Sequence, residues 1–350
     1  MSNPVLNIGI NLMERGLLPD MLIRRSIRSL CAQRLKTEAS NGEHSQKEKL
    51  SAFIRQMDSG PIAPVPEKAN EQHYELPPEF FNLVLGKHCK YSSAFWGTGT
   101  EYLEDAEKRA LSLTCEHAEL SDGMDILELG CGWGSLSLWM AERYPHSKIT
   151  GVSNSAPQRK YIFEQASRRG LKNVQIITAD MNQFDITSKF DRVLSVEMFE
   201  HMRNHRALMK KISNWLKPDG KFFMHIFVHK SLAYEFQTQG TTDWMGKYFF
   251  TGGIMPSDDL PLQFQDDLSF LSRWKWPGTH YEKTANAWLK NLDEKKAFVM
   301  PILIATYGTQ NAKLWFNRWR VFFMACAELW GYSQGEEWWV SHYLFSRKPN

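Results

Sequence analysis

The chain has 350 residues, of which 43% are hydrophobic and 23% charged, and its formal net charge is +3. This length suits one large domain with additions, and the composition is ordinary for a globular protein. So small a positive balance gives no argument for nucleic acid or for an anionic membrane as a partner.

The cysteines and the apolar runs bear on the cellular location. The five cysteines form no CxxC spacing and are not spaced with histidines as metal ligands, so we expect reduced thiols and no metal site. No apolar run reaches about 18 residues, and the first residues lack the basic and long apolar regions of a secretory signal. These features predict a cytoplasmic protein.

Residues 1–75 predict a helical N-terminal cap. Apolar residues recur at helical spacing over residues 4–35. A polar loop then leads to another helix that ends near Met57, and three prolines in SGPIAPVPEKANEQ break any regular structure after it. Residues 76–120 are rich in aromatic side chains and contain a predicted helix over 102–117; we expect this segment to cover a bound cofactor.

Residues 121–228 alternate short apolar strands with helices. The five strand segments read DILEL, SKITGV, NVQIITAD, FDRVLSV and GKFFMHIF. Strands separated by helices imply a mostly parallel sheet with helices on both faces. The pattern therefore predicts a doubly wound, Rossmann-like α/β core.

The C-terminal third predicts a helical insertion after the fifth strand. Residues 229–335 show little periodicity before about residue 283, and a long irregular stretch inside a compact domain usually has a function. We expect it to bind substrate, together with helices over 283–298 and 310–329. Residues 336–350 alternate and are apolar, so they predict a terminal strand of the core sheet.

A glycine turn follows the first strand and opens the next helix. It reads LELGCGWG, in which Gly130, Gly132 and Gly134 follow Glu128. Glycine lets the backbone turn tightly and approach a ligand, and ligands of open α/β sheets bind beside such a turn. Dinucleotide sites usually read GxGxxG. The acidic Glu128 favours instead a ligand with an ammonium group and no phosphate, such as S-adenosylmethionine (SAM).

The next two strand ends supply polar groups for the same ligand. Asp180 and Met181 follow the third strand, where a carboxylate can accept a hydrogen bond from an adenine amino group. Ser153 and Asn154 follow the second strand, with Gln158 close behind, and replace the acidic residue that often binds ribose.

Two carboxylates and a histidine follow the fourth strand. Glu197, Glu200 and His201 are spaced so that they share one face if a helical turn starts there. Acids at a helix start are one reading of this pattern. The functional reading is amine methylation: an aliphatic amine with a pKa of roughly 10 must be bound as ammonium and then lose its proton. Carboxylates suit the first task and histidine the second.

From Tyr91 onward the sequence resembles the plant coclaurine N-methyltransferases, which belong to the superfamily of cyclopropane-fatty-acid-synthase-like SAM enzymes. The resemblance implies a class I SAM methyltransferase fold with SAM as the cofactor. It rests on the segments ILELGCGWGSLSLWMAERY, ITGVSNSAPQRKYI, VEMFEHMRN, DWMGKYFFTGGIMPS, FQDDLS, GTHYEKTANAWL, WRVFFMACAE and GYSQGEEWWVSHYLFSRK.

The resemblance also implies a role for each matching residue. Glu197, Glu200 and His201 would bind the amine and accept its proton, and Trp319 and Phe322 would wall the substrate pocket. The last two are three residues apart on a predicted helix, so core packing is an alternative for them. The cofactor would contact Tyr91, Ser92, Glu128, Gly130, Gly132, Gly134, Ser153, Asn154, Gln158, Asp180 and Met181.

Two functions stay open at this point. The favoured one is N-methylation of a small aromatic amine, of benzylisoquinoline or phenylalkylamine type, by an enzyme that could form a homodimer. The alternative is lipid modification, which would bring membrane contact through the apolar segment IGINLMERGLLPDMLI. Ser93, Glu197 and Trp319 stand where the lipid enzymes tend to have cysteine, glycine and tyrosine. These differences remove parts of a bicarbonate-binding site, although Glu200 and His225 persist, and they favour the amine. A non-catalytic SAM-binding scaffold is disfavoured because the catalytic cluster is complete.

Overall fold

The computed structural model describes residues 4–39, 42–65, 76–240 and 243–349. Three helices come first: α1 (Pro4–Glu14), α2 (Asp20–Ala39) and α3 (Gly42–Ser59). Helix α2 is tied to the C-terminal helix α12 (Thr309–Trp330) by Arg24 and Arg28, whose guanidinium groups lie 2.8 and 2.5 Å from the carboxylate of Glu328. Helix α2 is therefore attached to the C-terminal part of the chain.

A seven-stranded sheet forms the centre of the molecule, in the order β3-β2-β1-β4-β5-β9-β8. Strands β1 to β5 are parallel, and β9 runs antiparallel to both of its neighbours. The chain winds outward from β1 to β3 and then returns to β4, so the predicted doubly wound α/β fold is confirmed. The strands are β1 (Asp125–Leu129), β2 (Lys148–Ser153), β3 (Val174–Thr178), β4 (Phe190–Val196), β5 (Leu216–His229), β8 (Leu268–Trp276) and β9 (Trp338–Arg347).

Helices cover this sheet because each presents an apolar face to it. Helices α6 and α7 pack against β2 and β3, and α8 packs against β4, β5 and β8. The start of α8 is fixed by Asn204, whose side chain accepts a hydrogen bond from Ala207 N at 2.9 Å. The helices that follow α3 are α4 (Pro78–Val84), α5 (Leu103–His117), α6 (Ser135–Arg143), α7 (Ala156–Arg168), α8 (His205–Trp215) and α9 (Trp244–Tyr248).

The segment after β5 is more regular than the sequence predicts. A small antiparallel pair of strands, β6 (Tyr234–Glu235) and β7 (Ile254–Met255), comes first, and β8 then forms the edge of the main sheet. The expectation of an irregular stretch up to residue 283 is wrong for β8. A register shift between Phe270 and Ser272 breaks the two-residue alternation on which strand prediction depends.

The C-terminal helices also differ from the prediction. The structure has α10 (Thr279–Glu294), α11 (Lys296–Tyr307) and α12, where the sequence pattern predicts two helices. Helix α11 was missed because Pro301 lies inside it and reads as a helix breaker. Helices α10 and α11 pack on α12, so these elements form a helical layer over the carboxyl ends of the central strands.

Gly134 provides a test of how tightly α6 packs on α7. Its φ is +78°, and a Cβ built on it would lie 2.6 Å from Ile162 Cγ1. We expect Gly134→Ala to lower the free energy of unfolding by at least about 2 kcal/mol, measured by denaturant titration, because a left-handed non-glycine residue and a clash combine. Gly9→Ala is the control: it lies inside α1, has nothing within 4 Å of an added Cβ, and should cause no loss. Equal stability of the two variants would contradict this packing.

Candidate active site

The site lies where the loops after β1, β2, β3 and β4 meet. The chain reverses its direction of winding between β1 and β4, and ligands of doubly wound sheets bind at such a switch point. Gly130 and Gly132 have φ of +76° and +51°, and a Cβ on Gly130 would lie 2.9 Å from Met198 Cβ. The turn favours glycine because both residues have left-handed backbone angles, and at Gly130 the Met198 side chain also leaves no room for a Cβ.

The first of three neighbouring cavities is polar at one end. The Ser153 hydroxyl donates to Gln158 Oε1 at 2.6 Å, and Gln158 Nε2 is buried with no hydrogen-bond partner among the described residues. Asp180 Oδ1 accepts from Asn182 N at 2.9 Å. The wall of this first cavity includes Gly130, Gly132, Ser153, Asn154, Gln158, Asp180, Met181, Met198, Glu197 and His201.

The second cavity is lined by an acid, Glu128, and an amine, Lys90. Glu128 is buried, with Oε2 accepting from the Ser137 hydroxyl, and burial raises the pKa of Glu128 to about 7. Burial also lowers the pKa of Lys90 to about 8, although Glu197 opposes this shift. Lys90 Nζ donates to Ser92 Oγ and to Ser93 O. An acid and an amine on one cavity fit the free amino and carboxylate groups of an amino acid.

The third cavity is mostly aromatic. Tyr281 stacks on Trp330 with ring centroids 4.9 Å apart and planes within 4°, so these rings form a flat wall. Methionine and leucine side chains complete the apolar surface. The lining residues are Tyr91, Glu197, His201, Phe227, Phe236, Met245, Phe250, Met255, Tyr281, Trp288, Phe322, Cys326, Leu329 and Trp330.

Glu197 borders all three cavities, and its carboxylate is held by three donors. Oε1 accepts from Ser93 N at 2.9 Å and from His225 Nε2 at 3.1 Å, and Oε2 accepts from the Tyr281 hydroxyl at 2.7 Å. Burial raises the pKa of Glu197, but the hydrogen bond from His225 and the charge of Lys90 outweigh it and hold the pKa below its ordinary value. The carboxylate is therefore ionised at neutral pH.

Glu200 lies elsewhere than the sequence predicts for an amine ligand. It is fully buried, lines none of the three cavities, and accepts from Phe227 N at 2.8 Å through Oε1. Burial, with the charge of Glu197 as a second cause, raises the pKa of Glu200 well above its ordinary value. Its place is beneath the cavity floor because the short helix Phe199–His201 turns it toward β5.

His201 lies on the wall between the first and third cavities. Its ring is 4.6 Å from that of Phe250. Burial lowers the pKa of His201 to about 4, although Glu197 opposes the shift. The imidazole is therefore neutral at pH 7.

The other predicted site residues divide between cavity walls and the interior. Tyr91, Ser92 and Glu128 line the second cavity, and Phe322 lines the third. Two predicted contacts lie outside all three cavities. Gly134 packs against Ile162, as described above, and Trp319 is 1% exposed, with its ring 4.9 Å from that of Phe80. Trp319 therefore has the surroundings of a core residue, which is the alternative that the sequence left open for it.

Four residues around Glu197 were not predicted as parts of the amine site: Lys90, Ser93 as a backbone donor, His225 and Tyr281. Tyr281 lies within the family segment GTHYEKTANAWL and His225 within the predicted fifth strand, so both were visible as sequence. Their nearness to Glu197 could not be read from the sequence, because each residue comes from a separate element.

Within the described ranges, no group of three or more His, Cys, Asp or Glu side chains could hold a metal ion. No helix in the described part of the chain is long and apolar enough to cross a membrane.

Comparison with known proteins gives consistent matches. The family described as mycolic acid cyclopropane synthetase matches residues 65–335. (S)-Coclaurine N-methyltransferase of Thalictrum flavum subsp. glaucum is 36% identical over 340 residues, which is 96% of this chain and 94% of the relative. The cyclopropane-fatty-acyl-phospholipid synthase of Escherichia coli (strain K12) is 34% identical over 221 residues, 62% of this chain and 54% of the relative.

Solved structures agree with these matches. The crystal structure of coclaurine N-methyltransferase bound to N-methylheliamine and SAH superimposes with a TM-score of 0.94 at 34% identity. The match covers 98% of this chain and 100% of that one. The mycobacterial cyclopropane synthase MmaA2 superimposes with a TM-score of 0.67 at 22% identity, covering 81% and 99%.

Trp319 and Phe322 give a matched test of the cavity boundaries. Trp319→Ala should lower the free energy of unfolding by about 3–5 kcal/mol, since it opens a hole in a packed interior. Phe322→Ala should cost less, because this ring already faces a cavity on one side. Denaturant titration of both variants measures the difference. A larger loss for Phe322→Ala would mean that the third cavity is misplaced.

Proposed function

The chain belongs to the coclaurine N-methyltransferase family of SAM-dependent enzymes, and on that premise we propose that it methylates the nitrogen of a small aromatic amine of benzylisoquinoline or phenylalkylamine type. The observation that carries this proposal is the position of Glu197, an ionised carboxylate at the junction of two polar cavities and one aromatic cavity. An amine cation is the ligand that such a carboxylate and aromatic walls attract together.

The two polar cavities fit the two ends of SAM. Asp180, Ser153 and Gln158 in the first cavity offer acceptors and a free amide donor to the adenosine part. Glu128 and Lys90 in the second offer opposite charges to the amino-acid part. When bound, the cofactor supplies a methyl group on a positively charged sulfur. Gly130 and Gly132 border both cavities, so the sulfur would lie above this turn, beside Glu197.

The third cavity would orient the amine. The Tyr281–Trp330 pair offers a flat face to an aromatic ring, and cation–π attraction contributes up to about 2 kcal/mol when the cation is desolvated. Glu197 would attract the ammonium group and hold it near Tyr91, which lines both the second and the third cavities. Positioning the amine nitrogen toward the second cavity would then account for much of the rate acceleration.

The amine must lose a proton before it can attack. His201 is neutral at pH 7 and lies on the wall of the third cavity, so we assign it as the proton acceptor. Glu197 would stabilise the imidazolium that forms. Glu200 is assigned a supporting role, as an uncharged acid that fixes the turn carrying Glu197 and His201 through Phe227 N.

The proposed compartment is the cytoplasm, supported by five free cysteines. The proposed partner is the small amine alone, with no nucleic acid. Association into a homodimer stays a prediction, which sedimentation of the purified protein would measure.

The proposed function is tested by incubating the purified protein with methyl-labelled SAM and two acceptor panels. One panel holds aromatic primary and secondary amines, and the other holds vesicles of unsaturated phospholipid. We expect label in an amine and none in the lipid. Label in the lipid would replace the amine proposal by the lipid alternative, for which the partial match to the Escherichia coli synthase is the supporting observation.

Glu197→Gln and Glu200→Gln should differ sharply. Glu197 accepts from three donors and supplies the negative charge, so the amide should lower kcat/KM for the amine at least about a hundredfold. Glu200 is already uncharged, so an amide of the same shape should keep the bond from Phe227 N and most of the activity. Steady-state kinetics of both variants, with thermal melting as a control for folding, measures this. Equal losses would contradict the assignment of charge to Glu197 alone.

A further inference from the structure

Three histidines extend from Glu197 across the sheet in one hydrogen-bonded array. His225 Nε2 lies 3.1 Å from Glu197 Oε1, and His225 Nδ1 lies 2.8 Å from His342 Nε2. His342 Nδ1 lies in turn 2.8 Å from His117 Nδ1. His225 and His342 are fully buried, and His117 is half-buried. We call Glu197, His225, His342 and His117 the histidine array.

The sheet register creates this array. His225 on β5 pairs directly with His342 on β9, which pairs with Trp274 on the edge strand β8. Opposed residues of neighbouring strands point to the same face of a sheet. His117, the last residue of α5, stacks on Trp274 with ring centroids 4.1 Å apart and planes within 6°. This stacking fixes the orientation of the His117 ring, which is the last member of the array.

An ionised Glu197 and the three linked hydrogen bonds are compatible with a single set of tautomers. A carboxylate only accepts, so His225 must carry its proton on Nε2 and accept at Nδ1. The proton between His225 and His342 therefore belongs to His342 Nε2, which leaves His342 Nδ1 as an acceptor. His117 must then donate from Nδ1. Every N–H in the array points toward Glu197.

This ordering requires neutral rings, and the surroundings provide them. Burial is the first cause in each case: it lowers the pKa of His225, lowers that of His342 well below its ordinary value, and lowers that of His117 to about 4. A neutral imidazole has one donor and one acceptor, so each ring passes the direction of donation to the next.

We propose that His342 and His117 are positioning residues, which lock His225 in the tautomer that donates to Glu197 and thereby keep this carboxylate ionised and aimed at the amine. The inference rests on the proposed function, because it concerns the same carboxylate. Neither residue lines one of the three cavities, so both act through His225.

Other groups also act on Glu197, and the test must separate them from the array. Lys90 comes from the segment before α5, Tyr281 from α10 and Cys326 from α12, and Glu200 and His201 follow Glu197 in its own turn. None of these groups has a hydrogen bond to the His342 ring, whose ring partners are His117 and His225.

Around the array itself the charged neighbours are few. Lys90 acts on His342 and His225, while Glu116 and Arg109 act on His117 with opposite signs. These neighbours also stay in place in a His342 variant, so a shift in its pH profile reports the lost donor.

The experiment measures kcat for amine methylation from pH 5 to 9 in wild type, His342→Leu and His342→Gln. Leucine removes the donor to His225 Nδ1, so the ring is no longer held on both sides and its Nε2–H bond to Glu197 weakens. We expect the acid limb of the profile to move up by about one pH unit, so that activity is lost near pH 6 and retained near pH 9. Glutamine supplies both a donor and an acceptor and should keep the wild-type profile.

His229→Leu is the matched control, since His229 is a buried histidine on the same strand whose Nδ1 accepts from Ser231 N and Leu232 N, outside the array. It should leave the acid limb unmoved. An unshifted acid limb in His342→Leu, or the same loss of activity at every pH, would overturn the inference and leave His342 a packing residue.

A second measurement needs no variant and no activity. Nitrogen-15 NMR of histidine-labelled protein should show protons on His225 Nε2, His342 Nε2 and His117 Nδ1 at neutral pH. Any other set of tautomers would overturn the inference. If wild type methylates no amine, the proposed function fails, while these tautomers still decide whether the array is ordered as inferred.

Discussion

The hydrogen bonding of the Glu197 carboxylate is the constraint on which the rest of the site depends. Its side chain is 9% exposed, and a buried charge is costly unless donors surround it. Ser93, His225 and Tyr281 supply those donors from a loop, from β5 and from α10, so three distant parts of the chain must close around one residue. Glu197 itself adopts a φ of +48°, a conformation rare for non-glycine residues, which turns its side chain to the meeting point.

The same burial separates two neighbouring acids into different roles. Glu197 has enough donors to stay ionised, whereas Glu200 has one backbone donor and stays uncharged. Like charges this close oppose each other, so ionisation of the first favours neutrality of the second. A single negative charge next to a neutral His201 is a suitable arrangement for binding an ammonium group and then accepting its proton. The carboxyl end of β4 thus carries the chemistry, while the helical layer supplies the aromatic walls.

Local patterns predicted much of this structure. Alternating apolar strands and helices gave the doubly wound core, and the glycine turn with Glu128 marked the polar cavities. The position of Glu197 and His201 after β4 placed them at the site. What depended on distant contacts was not readable: the bulged edge strand β8, the inward packing of Trp319, and the meeting of His117, His225 and His342. These histidines lie far apart in sequence, and only the register of β5 with β9 brings them together.

The central claim is that the charge of Glu197 selects an amine cation, and a binding measurement tests it most directly. Calorimetry on the enzyme loaded with S-adenosylhomocysteine would compare a secondary aromatic ammonium with an uncharged isostere in which oxygen replaces the nitrogen. We expect the cation to bind at least about tenfold more tightly, a difference of about 1.4 kcal/mol, and Glu197→Gln to remove this preference. Equal affinities in wild type, or a preference that survives in Glu197→Gln, would contradict it.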